Sequence, residues 1–296
     1  MAGAREYELP GGITVTRTQP ACGAVLGGID LARPIGEVQA ESIRRALFAH
    51  GVIFFTGQQA MTFADHLALA KIFGEPLCDG PDAERPQITP VSAKAGSREG
   101  TASTCHSDGC YYAAPPAVSV LRAIDACTFG GDTCFSSATA AYAGLTEETR
   151  TRIESLKFLS SLAARMPKGY GHFGSAEKWD ELNAKFPPVH QPVAIVHPVT
   201  GARALYVNTT WSLEIVGMED AEGQALIREL AAEFHRPEYQ TRWQWQEGAL
   251  AIWDNRLVQH YGVPDQQTDR YLERITLAGA PLLSIADWDA RAKAAA

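Results

Sequence analysis

Short apolar runs bounded by glycine or proline constrain the fold of this chain more than any other feature. Apolar runs of about four to eight residues are typical of buried strands, whereas a helix needs about ten or more. Helical spacing is predicted for fewer stretches, chiefly 38–50, a segment from Thr62, and 220–234. The pattern therefore predicts a mainly β fold with peripheral helices, and a jelly roll of two facing sheets satisfies it. The clearest strand-like runs are 23–31, 52–55, 117–123, 193–198 and 249–253.

Domain organisation follows from length and from the longest irregular stretches. The chain has 296 residues, near the size at which one core stops growing, so one large domain or two small ones are compatible with it. Because no internal repeat or linker divides the sequence, we predict one domain over 1–296. Residues 78–104, rich in proline, glycine and serine, lead straight into His106 and are predicted to form a lid. Residues 163–190 are predicted to be an irregular insert with one short helix.

Charge and cysteine usage narrow the classes of partner. The formal net charge of −8 argues against nucleic acid or an anionic membrane surface, although a local cationic pocket can still hold a small acid. The six cysteines include no C-x-x-C pair, so neither a zinc knuckle nor a disulfide framework is predicted. No apolar run approaches the roughly 18 residues of a membrane span, and the N-terminus lacks the apolar core of a signal peptide. We expect a cytoplasmic protein, and a homo-oligomer is left open.

His106 and Asp108 form the motif with the most chemical content. In an extended strand, residues two apart face the same side, so this His-x-Asp can direct an imidazole and a carboxylate at one point. A distant histidine would complete a set of two nitrogens and one oxygen, which suits non-haem Fe(II) and leaves positions for substrate-derived ligands and dioxygen. Alone the tripeptide is a weak signal, because a half-buried histidine hydrogen-bonded to a nearby carboxylate also accounts for it. His50, His66 and His172 are interpreted as ordinary helix or surface residues.

Separated motifs along most of the chain supply the missing context. In order they are Gly27-Gly28-Ile29-Asp30-Leu31, Gly51-Val52-Ile53-Phe54-Phe55, Phe73-Gly74-Glu75, His106-Ser107-Asp108, Ala114-Pro115-Pro116, Gly130-Gly131-Asp132-Thr133, Leu205-Tyr206-Val207-Asn208, Trp253-Asp254-Asn255-Arg256, His260, and Arg270 with Arg274. With these motifs in this order, the sequence resembles the taurine dioxygenase and aryloxyalkanoate dioxygenase (TauD/TfdA) family of Fe(II)- and 2-oxoglutarate-dependent oxygenases. The resemblance covers residues from about 20 to 280.

The resemblance implies a double-stranded β-helix core with Fe(II) held by His106, Asp108 and His260. 2-Oxoglutarate and O₂ would be cosubstrates, and the reaction would release succinate and CO₂ while oxidising a C–H bond of a small organic acid. Because position 108 carries a carboxylate, and not the Gly or Ala of a related halogenase, hydroxylation is favoured. The alternatives are desaturation or cyclisation at the same iron centre, a non-catalytic jelly-roll binding protein, and a zinc hydrolase.

For 2-oxoglutarate, the resemblance implies a hydrogen bond from the Thr133 hydroxyl and a clamp by Arg270 on the distal carboxylate. An Arg fork meets a carboxylate with two parallel charge-assisted hydrogen bonds. Arg270 and Arg274 are four apart in a predicted strand, so they share a face, and in a barrel interior both would need anions. Pairing with surface Asp or Glu is the alternative. By the resemblance, Arg274 would hold the C1 carboxylate of 2-oxoglutarate, the acidic head of the substrate, or both.

The predicted substrate pocket departs from the pattern of taurine enzymes. Cys105 stands where the family has a tryptophan, and Ala102 stands where taurine enzymes have an asparagine. Taurine is therefore not favoured, and the predicted substrate is a small anion such as an aryloxyalkanoate, alkylsulfate, sulfonate or amino-acid-like metabolite. Trp211 is predicted to be an aromatic pocket wall, with a plain core tryptophan as the alternative. Arg274, Tyr111 and Ala102 complete the predicted substrate residues.

Overall fold

The computed structural model describes residues 4–97, 103–127, 129–165 and 176–295. Its strands are β1 (Glu6–Leu9), β2 (Ile13–Arg17), β3 (Ala24–Gly27), β4 (Val52–Phe55), β5 (Ile88–Ala93), β6 (Val118–Asp125), β7 (Thr133–Ser137), β8 (Lys157–Ser160), β9 (Val189–Pro192), β10 (Ala194–Val196), β11 (Arg203–Leu205), β12 (Glu214–Ile215), β13 (Gln240–Trp243), β14 (Leu250–Asp254), β15 (Val258–Gly262) and β16 (Arg270–Thr276).

Helices connect and flank these strands. They are α1 (Glu37–His50), α2 (Phe63–Lys71), α3 (Ala138–Gly144), α4 (Glu147–Ile153), α5 (Leu162–Arg165), α6 (Ala176–Lys185), α7 (Asp220–Ala232) and α8 (Ile285–Ala295), with short 3₁₀ turns at Glu233–His235 and Pro237–Tyr239. The predicted β-rich fold with peripheral helices is confirmed. No described helix is both long enough and apolar enough to cross a membrane.

An eight-stranded sheet is the largest element of the fold. Its order is β1-β2-β3-β4-β14-β6-β16-β5, and β3–β4 is its parallel pair. A second sheet, in the order β13-β7-β15, packs against one of its faces. Two further sheets, β12-β8-β9 and β10-β11, share a separate core with α3 and α7. The β10–β11 pair is antiparallel, and β10 lies within the predicted strand-like run 193–198.

Alternation along β4 shows how the large sheet is buried on both faces. Phe54 points toward the three-stranded sheet and packs edge-on against Phe135 of β7, with 5.6 Å between the ring centroids. Its neighbours Ile53 and Phe55 point the other way and share a core with α1 and α2. Because both faces are covered, this strand reads as a continuous apolar run and not as an alternating one.

Local sequence signals set the ends of α1 and α2. Gly51 ends α1 with a φ of 71°, and a Cβ at this position would lie 2.8 Å from Val258 Cγ1, so both backbone and packing require glycine. α2 begins after Thr62, whose hydroxyl and the Asp65 carboxylate cap each other's backbone N–H. Both predicted positions are confirmed. α2 ends at Lys71.

The two segments predicted to be irregular contain regular structure. Residues 78–104 include β5, which pairs along β16 at the edge of the large sheet. Its Pro90 tolerates this position because an edge strand has N–H groups that need no partner. Residues 163–190 include α6, as predicted, and also the beginning of β9. Residues 98–102 and 166–175, with His172, lie outside the described residues.

Candidate functional site

His106 and His260 meet through their backbones. They form an isolated antiparallel bridge in which each N–H donates to the other residue's carbonyl, at 3.0 Å and 2.8 Å. His260 lies in β15 and pairs on its other side with Phe135 of β7. Residues directly opposite each other in an antiparallel pair project to the same face, and the two imidazole centroids are 4.5 Å apart. The histidine that the sequence placed far from His106 is thus its direct neighbour.

Asp108 reaches the same point from a turn. Residues 108–111 form this turn and only His106 of the motif lies in a bridge, so the extended strand assumed for His-x-Asp is not formed. One ligand atom from each of His106, Asp108 and His260 nevertheless lies within 4.8 Å of the others, and all three residues are buried. Asp108 Oδ1 is 3.9 Å from Nε2 of each histidine. Two imidazoles and one carboxylate around one point match the donor set of non-haem Fe(II).

The protonation states of these groups suit a bound cation. Burial lowers the pKa of His106, and burial lowers the pKa of His260 to about 3. Burial opposes ionisation of Asp108, but Arg274 and the two histidines together lower its pKa to about 2. At neutral pH the site therefore holds two neutral imidazoles and a carboxylate, the forms that bind metal. His106 Nδ1 donates to the Thr104 carbonyl at 2.7 Å, which leaves the Nε2 lone pair for the cation.

A chain of hydrogen bonds fixes the Asp108 carboxylate. Ser119 Oγ donates to Asp108 Oδ2 at 2.8 Å and accepts from Asn255 Nδ2 at 3.1 Å. Asn255 Oδ1 in turn accepts from the Trp253 indole N–H at 2.9 Å and from the Asp108 backbone N–H at 3.3 Å. Because each donor in this chain has an acceptor, the carboxylate is oriented before a cation binds.

Ser119 and Asn255 were not predicted as site residues. Asn255 lies inside the Trp253–Arg256 motif, so the resemblance pointed at it without assigning it a role. Ser119 is a polar residue on the inward face of β6, where its neighbours Leu121 and Ala123 pack between the two sheets. A lone polar side chain on that face of an apolar strand is the signal that could have identified it.

Thr133 and Arg270 lie next to the same loop. Arg270 Nη1 donates to the carbonyl of Gly131, two residues before Thr133. Thr133 Oγ1 accepts from the Trp245 indole N–H at 3.0 Å, so its own hydroxyl proton stays available to a ligand. Arg270 is 9% exposed, and among the described residues it forms no ion pair and its Nε has no hydrogen-bond partner. Because a buried guanidinium without an anion is costly, this pair suits a ligand carboxylate.

Arg274 lies on the same face of β16 as Arg270, about 13 Å further along the strand. Leu272 between them packs into the core between the two sheets, so the shared face points inward. Arg274 Nη1 donates to Asp108 Oδ1 at 2.7 Å, and its buried Nε has no partner in the described part of the chain. The alternative of surface ion pairs is therefore wrong for both arginines.

A cleft of about 590 Å³ opens over this group of residues. His106, Asp108 and Arg274 line it together with Tyr111 and Trp211. The Tyr111 and Trp211 rings are 4.8 Å apart between centroids, and the buried indole N–H of Trp211 has no partner among the described residues. Both aromatic residues thus line the cleft, and Trp211 offers a donor that no described residue uses.

The cleft also contains residues that were not predicted. The Tyr112 hydroxyl donates to the Asp79 carboxylate at 3.0 Å, and Asp79 forms an ion pair with Lys185. Tyr112 packs against Phe186, with 4.6 Å between their ring centroids. Asp79 falls in the stretch predicted to be a lid, and no motif marks it. Ala102, predicted to face the substrate, lies outside the described residues.

Comparison with known proteins decides between the classes that this donor set allows. A family model described as "Taurine catabolism dioxygenase TauD, TfdA family" matches residues 14–276. The chain belongs to the TauD/TfdA family. The match includes every residue of the site described above, from His106 to Arg274.

Relatives within the TauD/TfdA family are similar over most of their length. An alkylsulfatase of Acinetobacter baylyi is 32% identical over 275 residues, covering 87% of this chain and 82% of the relative. An alpha-ketoglutarate-dependent sulfate ester dioxygenase of Pseudomonas putida is also 32% identical, over 267 residues, with 87% and 86% covered. An alpha-ketoglutarate-dependent 2,4-dichlorophenoxyacetate dioxygenase of Cupriavidus pinatubonensis is 30% identical over 264 residues, with 82% and 89% covered.

Solved structures agree with this membership. A taurine dioxygenase from Burkholderia xenovorans superposes with a TM-score of 0.80 at 28% identity, covering 93% of this chain and 92% of the other. The structure of AAD-2 in complex with Mn(II) and N-oxalylglycine superposes with a TM-score of 0.77 at 29% identity, covering 92% and 99%.

This TauD/TfdA protein is an Fe(II)- and 2-oxoglutarate-dependent dioxygenase, and its cosubstrates are 2-oxoglutarate and O₂. The prediction drawn from the resemblance is confirmed. The residues present fit iron on their own chemistry, because two neutral imidazoles and a carboxylate meet in a buried site beside an open cleft.

Proposed function

We propose that His106, Asp108 and His260 hold the Fe(II), and that the protein hydroxylates a C–H bond of a small organic anion bound in the adjoining cleft. The observation that carries this proposal is the convergence of three buried donor atoms within 4.8 Å of one another, two of them from residues that line the cleft. When bound, iron with 2-oxoglutarate and O₂ supplies the oxidising chemistry, and succinate and CO₂ leave. The chain's own residues bind and orient the substrate and the cosubstrate, and they exclude water from the site.

We assign the binding of 2-oxoglutarate to Thr133 and Arg270. In support, Thr133 has a free hydroxyl proton, because Trp245 occupies its acceptor side. Arg270 is buried and lacks an ion-pair partner among the described residues, so the dianionic cosubstrate would supply the missing charge. The two side chains would grip the distal carboxylate and fix the angle at which the keto acid enters the metal site.

The acidic head of the substrate is assigned to Arg274. In support, Arg274 lines the cleft whereas Arg270 is not among its lining residues. Its Nε is free of partners in the described chain, and one Nη already bonds Asp108. A guanidinium held in this way can accept a second anion on its open edge and place the substrate beside the metal ligands.

The body of the substrate is proposed to be apolar. Tyr111 and Trp211 form an aromatic wall of the cleft, and the unpartnered Trp211 indole N–H can donate to an ester or ether oxygen. The relatives named for sulfate esters and for 2,4-dichlorophenoxyacetate act on molecules that join an anionic head to an apolar body. We therefore favour alkyl sulfates and aryloxyalkanoates over taurine, which has a short polar body.

Larger-scale features belong to the same proposal. A double-stranded β-helix is supported by the packing of β13-β7-β15 on the eight-stranded sheet and by the position of the ligands between them. A single domain over 1–296 agrees with this packing. The lid at 78–104 stays a prediction, and its described part contributes Asp79 and Ser92 to the cleft. The cytoplasmic location, the oligomeric state and the absence of nucleic-acid or membrane partners also stay predictions.

Substrate-stimulated succinate formation tests the proposal. The iron-loaded protein is assayed with 2-oxoglutarate and a panel of alkyl sulfates, aryloxyacetates, alkyl sulfonates and taurine. We expect an alkyl sulfate or aryloxyacetate to give the highest kcat/KM, with a product that gains one oxygen atom. A product that loses two hydrogens would assign desaturation or cyclisation. Succinate formation that none of these acids stimulates contradicts the proposed substrate class.

The role of Arg274 is tested by the Arg274→Ala variant. We expect the substrate KM to rise about 10- to 100-fold, because a charge-assisted hydrogen bond contributes about 1.5–3 kcal/mol. Arg85→Ala is the matched control, since Arg85 pairs with Glu273 on the opposite face of β16. An unchanged substrate KM in Arg274→Ala would contradict the assignment.

A further inference from the structure

A second cavity, of about 910 Å³, lies beside the N-terminal strands. It is formed by the β1–β2 hairpin and the C-terminal half of α1, and it shares no lining residue with the cleft over the metal ligands. Three of its lining residues are arginines, and none is aspartate or glutamate. In a chain with a net charge of −8, a cavity whose charged lining residues are all cations needs a physical reason.

Two of these arginines face each other across the hairpin. Arg17 ends β2, and its N–H donates to the Arg5 carbonyl at 2.8 Å, one position beyond the paired Glu6 and Thr16. Residues opposite each other in an antiparallel ladder project to the same face, and like charges placed in this way destabilise the pair. An anion between the two guanidinium groups would reverse the sign of this interaction.

The third arginine comes from the helix above the hairpin. Arg45 of α1 lines the cavity and forms no ion pair among the described residues. Its neighbour Arg44 forms two, with Glu37 and Glu41. The helix therefore provides acidic partners for Arg44, which is not among the cavity's lining residues. Arg45, which lines the cavity, has no acidic partner among the described residues.

Neutral hydrogen-bonding groups complete the wall. Tyr7 Oη and His50 Nε2 share a hydrogen bond of 2.6 Å at the cavity. Burial, aided by the charge of Arg17, lowers the pKa of His50 to about 4, so its imidazole is neutral at pH 7. Burial raises the pKa of Tyr7 against the opposing charges of Arg17 and Arg45. The positive charges of Arg17 and Arg45 thus both act on Tyr7, and no acidic residue lines the cavity to neutralise these charges.

A role as counter-charges to the C-terminus of α1 does not explain the cluster. A helix end carries about half a negative charge, against the three positive charges at this cavity. The last carbonyls of α1 are also already bonded, since Gly51 N–H donates to Leu47 and Gly23 N–H donates to His50.

We infer that this cavity binds an organic molecule with a tetrahedral oxyanion head, a phosphate or a sulfate ester, between Arg5, Arg17 and Arg45. Guanidinium forks from strand β2, from the residue before β1 and from helix α1 can contact separate oxygens of such a head. Leu9 and Pro20, which also line the cavity, supply apolar surface for the body of the molecule. The volume is in the range of small-molecule sites.

Isothermal titration calorimetry of the full, iron-loaded chain tests the inference. The titrations are run anaerobically in chloride buffer on the Arg274→Ala variant with saturating 2-oxoglutarate, so that the substrate site proposed at Arg274 is removed and the cosubstrate site is filled. The probes are phenyl phosphate, phenyl sulfate, inorganic phosphate, inorganic sulfate and phenol. We expect one site per chain for the anions, no detectable binding of phenol, and at least a tenfold tighter Kd for a phenyl ester than for its inorganic anion.

Variants locate the site. Arg17→Gln and Arg45→Gln should each weaken the Kd at least tenfold, whereas Arg33→Gln, on an exposed residue paired with Asp30, should leave it unchanged. Tighter binding of the phosphate or of the sulfate probe would identify the head group, and equal Kd values for ester and inorganic anion would assign the cavity to the free ion. No binding of any anion by the chain in which Arg5, Arg17 and Arg45 are intact overturns the inference. So does binding that persists unchanged in both cavity variants.

Discussion

At the scale of single residues, the Asp108 carboxylate owes its orientation to two side chains that do not line the cleft. Ser119 receives a hydrogen bond from Asn255 and passes one on to Asp108. Partners of this kind hold a ligand in the geometry that the metal needs, and losing one typically weakens metal binding by about 10- to 100-fold. The affinity of the site thus depends on residues one layer behind the metal ligands.

The Ser119→Ala variant should therefore bind metal about 10- to 100-fold more weakly while keeping all three ligands. The Kd of Mn(II), measured by calorimetry as a redox-stable substitute for Fe(II), checks this. Ser136→Ala is the matched control, because Ser136 is equally buried on β7 and its hydroxyl has no partner among the described residues. Equal Kd values in the two variants would refute the role of Ser119.

The Arg270→Lys variant separates charge from fork geometry. A lysine keeps the positive charge but cannot make two parallel hydrogen bonds to one carboxylate. We expect the KM for 2-oxoglutarate to rise about 10- to 100-fold, with a smaller change of kcat at saturating cosubstrate. Arg242→Lys serves as the control, because Arg242 is half exposed and pairs with Asp132 and Asp265 beside the same loop. A KM that changes equally in both variants would remove Arg270 from the cosubstrate site.

At the scale of elements, α2 is docked on the large sheet by a buried histidine. His66 is fully buried and its Nε2 donates to the Val120 carbonyl of β6 at 3.3 Å, while Nδ1 has no partner among the described residues. Burial lowers the pKa of this imidazole to about 4. The sequence interpretation of His66 as an ordinary helix residue did not reveal this contact.

The burial of His66 makes the free energy of unfolding depend on pH with a definite sign. Unfolded, this imidazole binds its proton near pH 6.5; folded, it does so only near pH 4. The contribution of neutral His66 to the free energy of unfolding is therefore fully present above about pH 6.5. This contribution falls by about 3 kcal/mol as the pH drops toward 4. In His66→Gln, which keeps a donor for Val120, the slope of unfolding free energy against pH should be shallower by about one proton, as measured by urea denaturation between pH 4 and 7. An unchanged slope contradicts this.

Elements were predictable where their local signals were strong. α1 has apolar residues at helical spacing and ends at a glycine, and β4 is a continuous apolar run. Each element lies within a residue or two of its predicted bounds. β15 was missed, because Gln259 and His260 interrupt its apolar pattern and only pairing with β7 makes it a strand. β5 was missed because its Pro90 argues against a strand in the sequence alone. A proline is tolerated there only because the strand lies at the edge of the sheet.

At the scale of the whole molecule, the site forms because two segments that are distant in sequence pair with each other in the fold. His106 and His260 pair through their backbones although more than 150 positions separate them in sequence. The resemblance pointed to the three proposed metal ligands and to the two arginines, because these residues lie in motifs that occur in the same order as in the family. It could not predict Ser119 or Trp245, whose roles depend on strand facing and on distances that no local pattern specifies.

The central claim is that these three side chains hold Fe(II) with 2-oxoglutarate beside it. It is tested most directly by adding Fe(II) and then 2-oxoglutarate, without oxygen, to the wild-type protein, to His260→Ala, and to His190→Ala, a control on an exposed histidine of β9. We predict the weak visible charge-transfer band of the chelate in the wild type and in His190→Ala, and no band in His260→Ala. A wild type without the band, or a His260→Ala variant that keeps it at full intensity, would contradict the account.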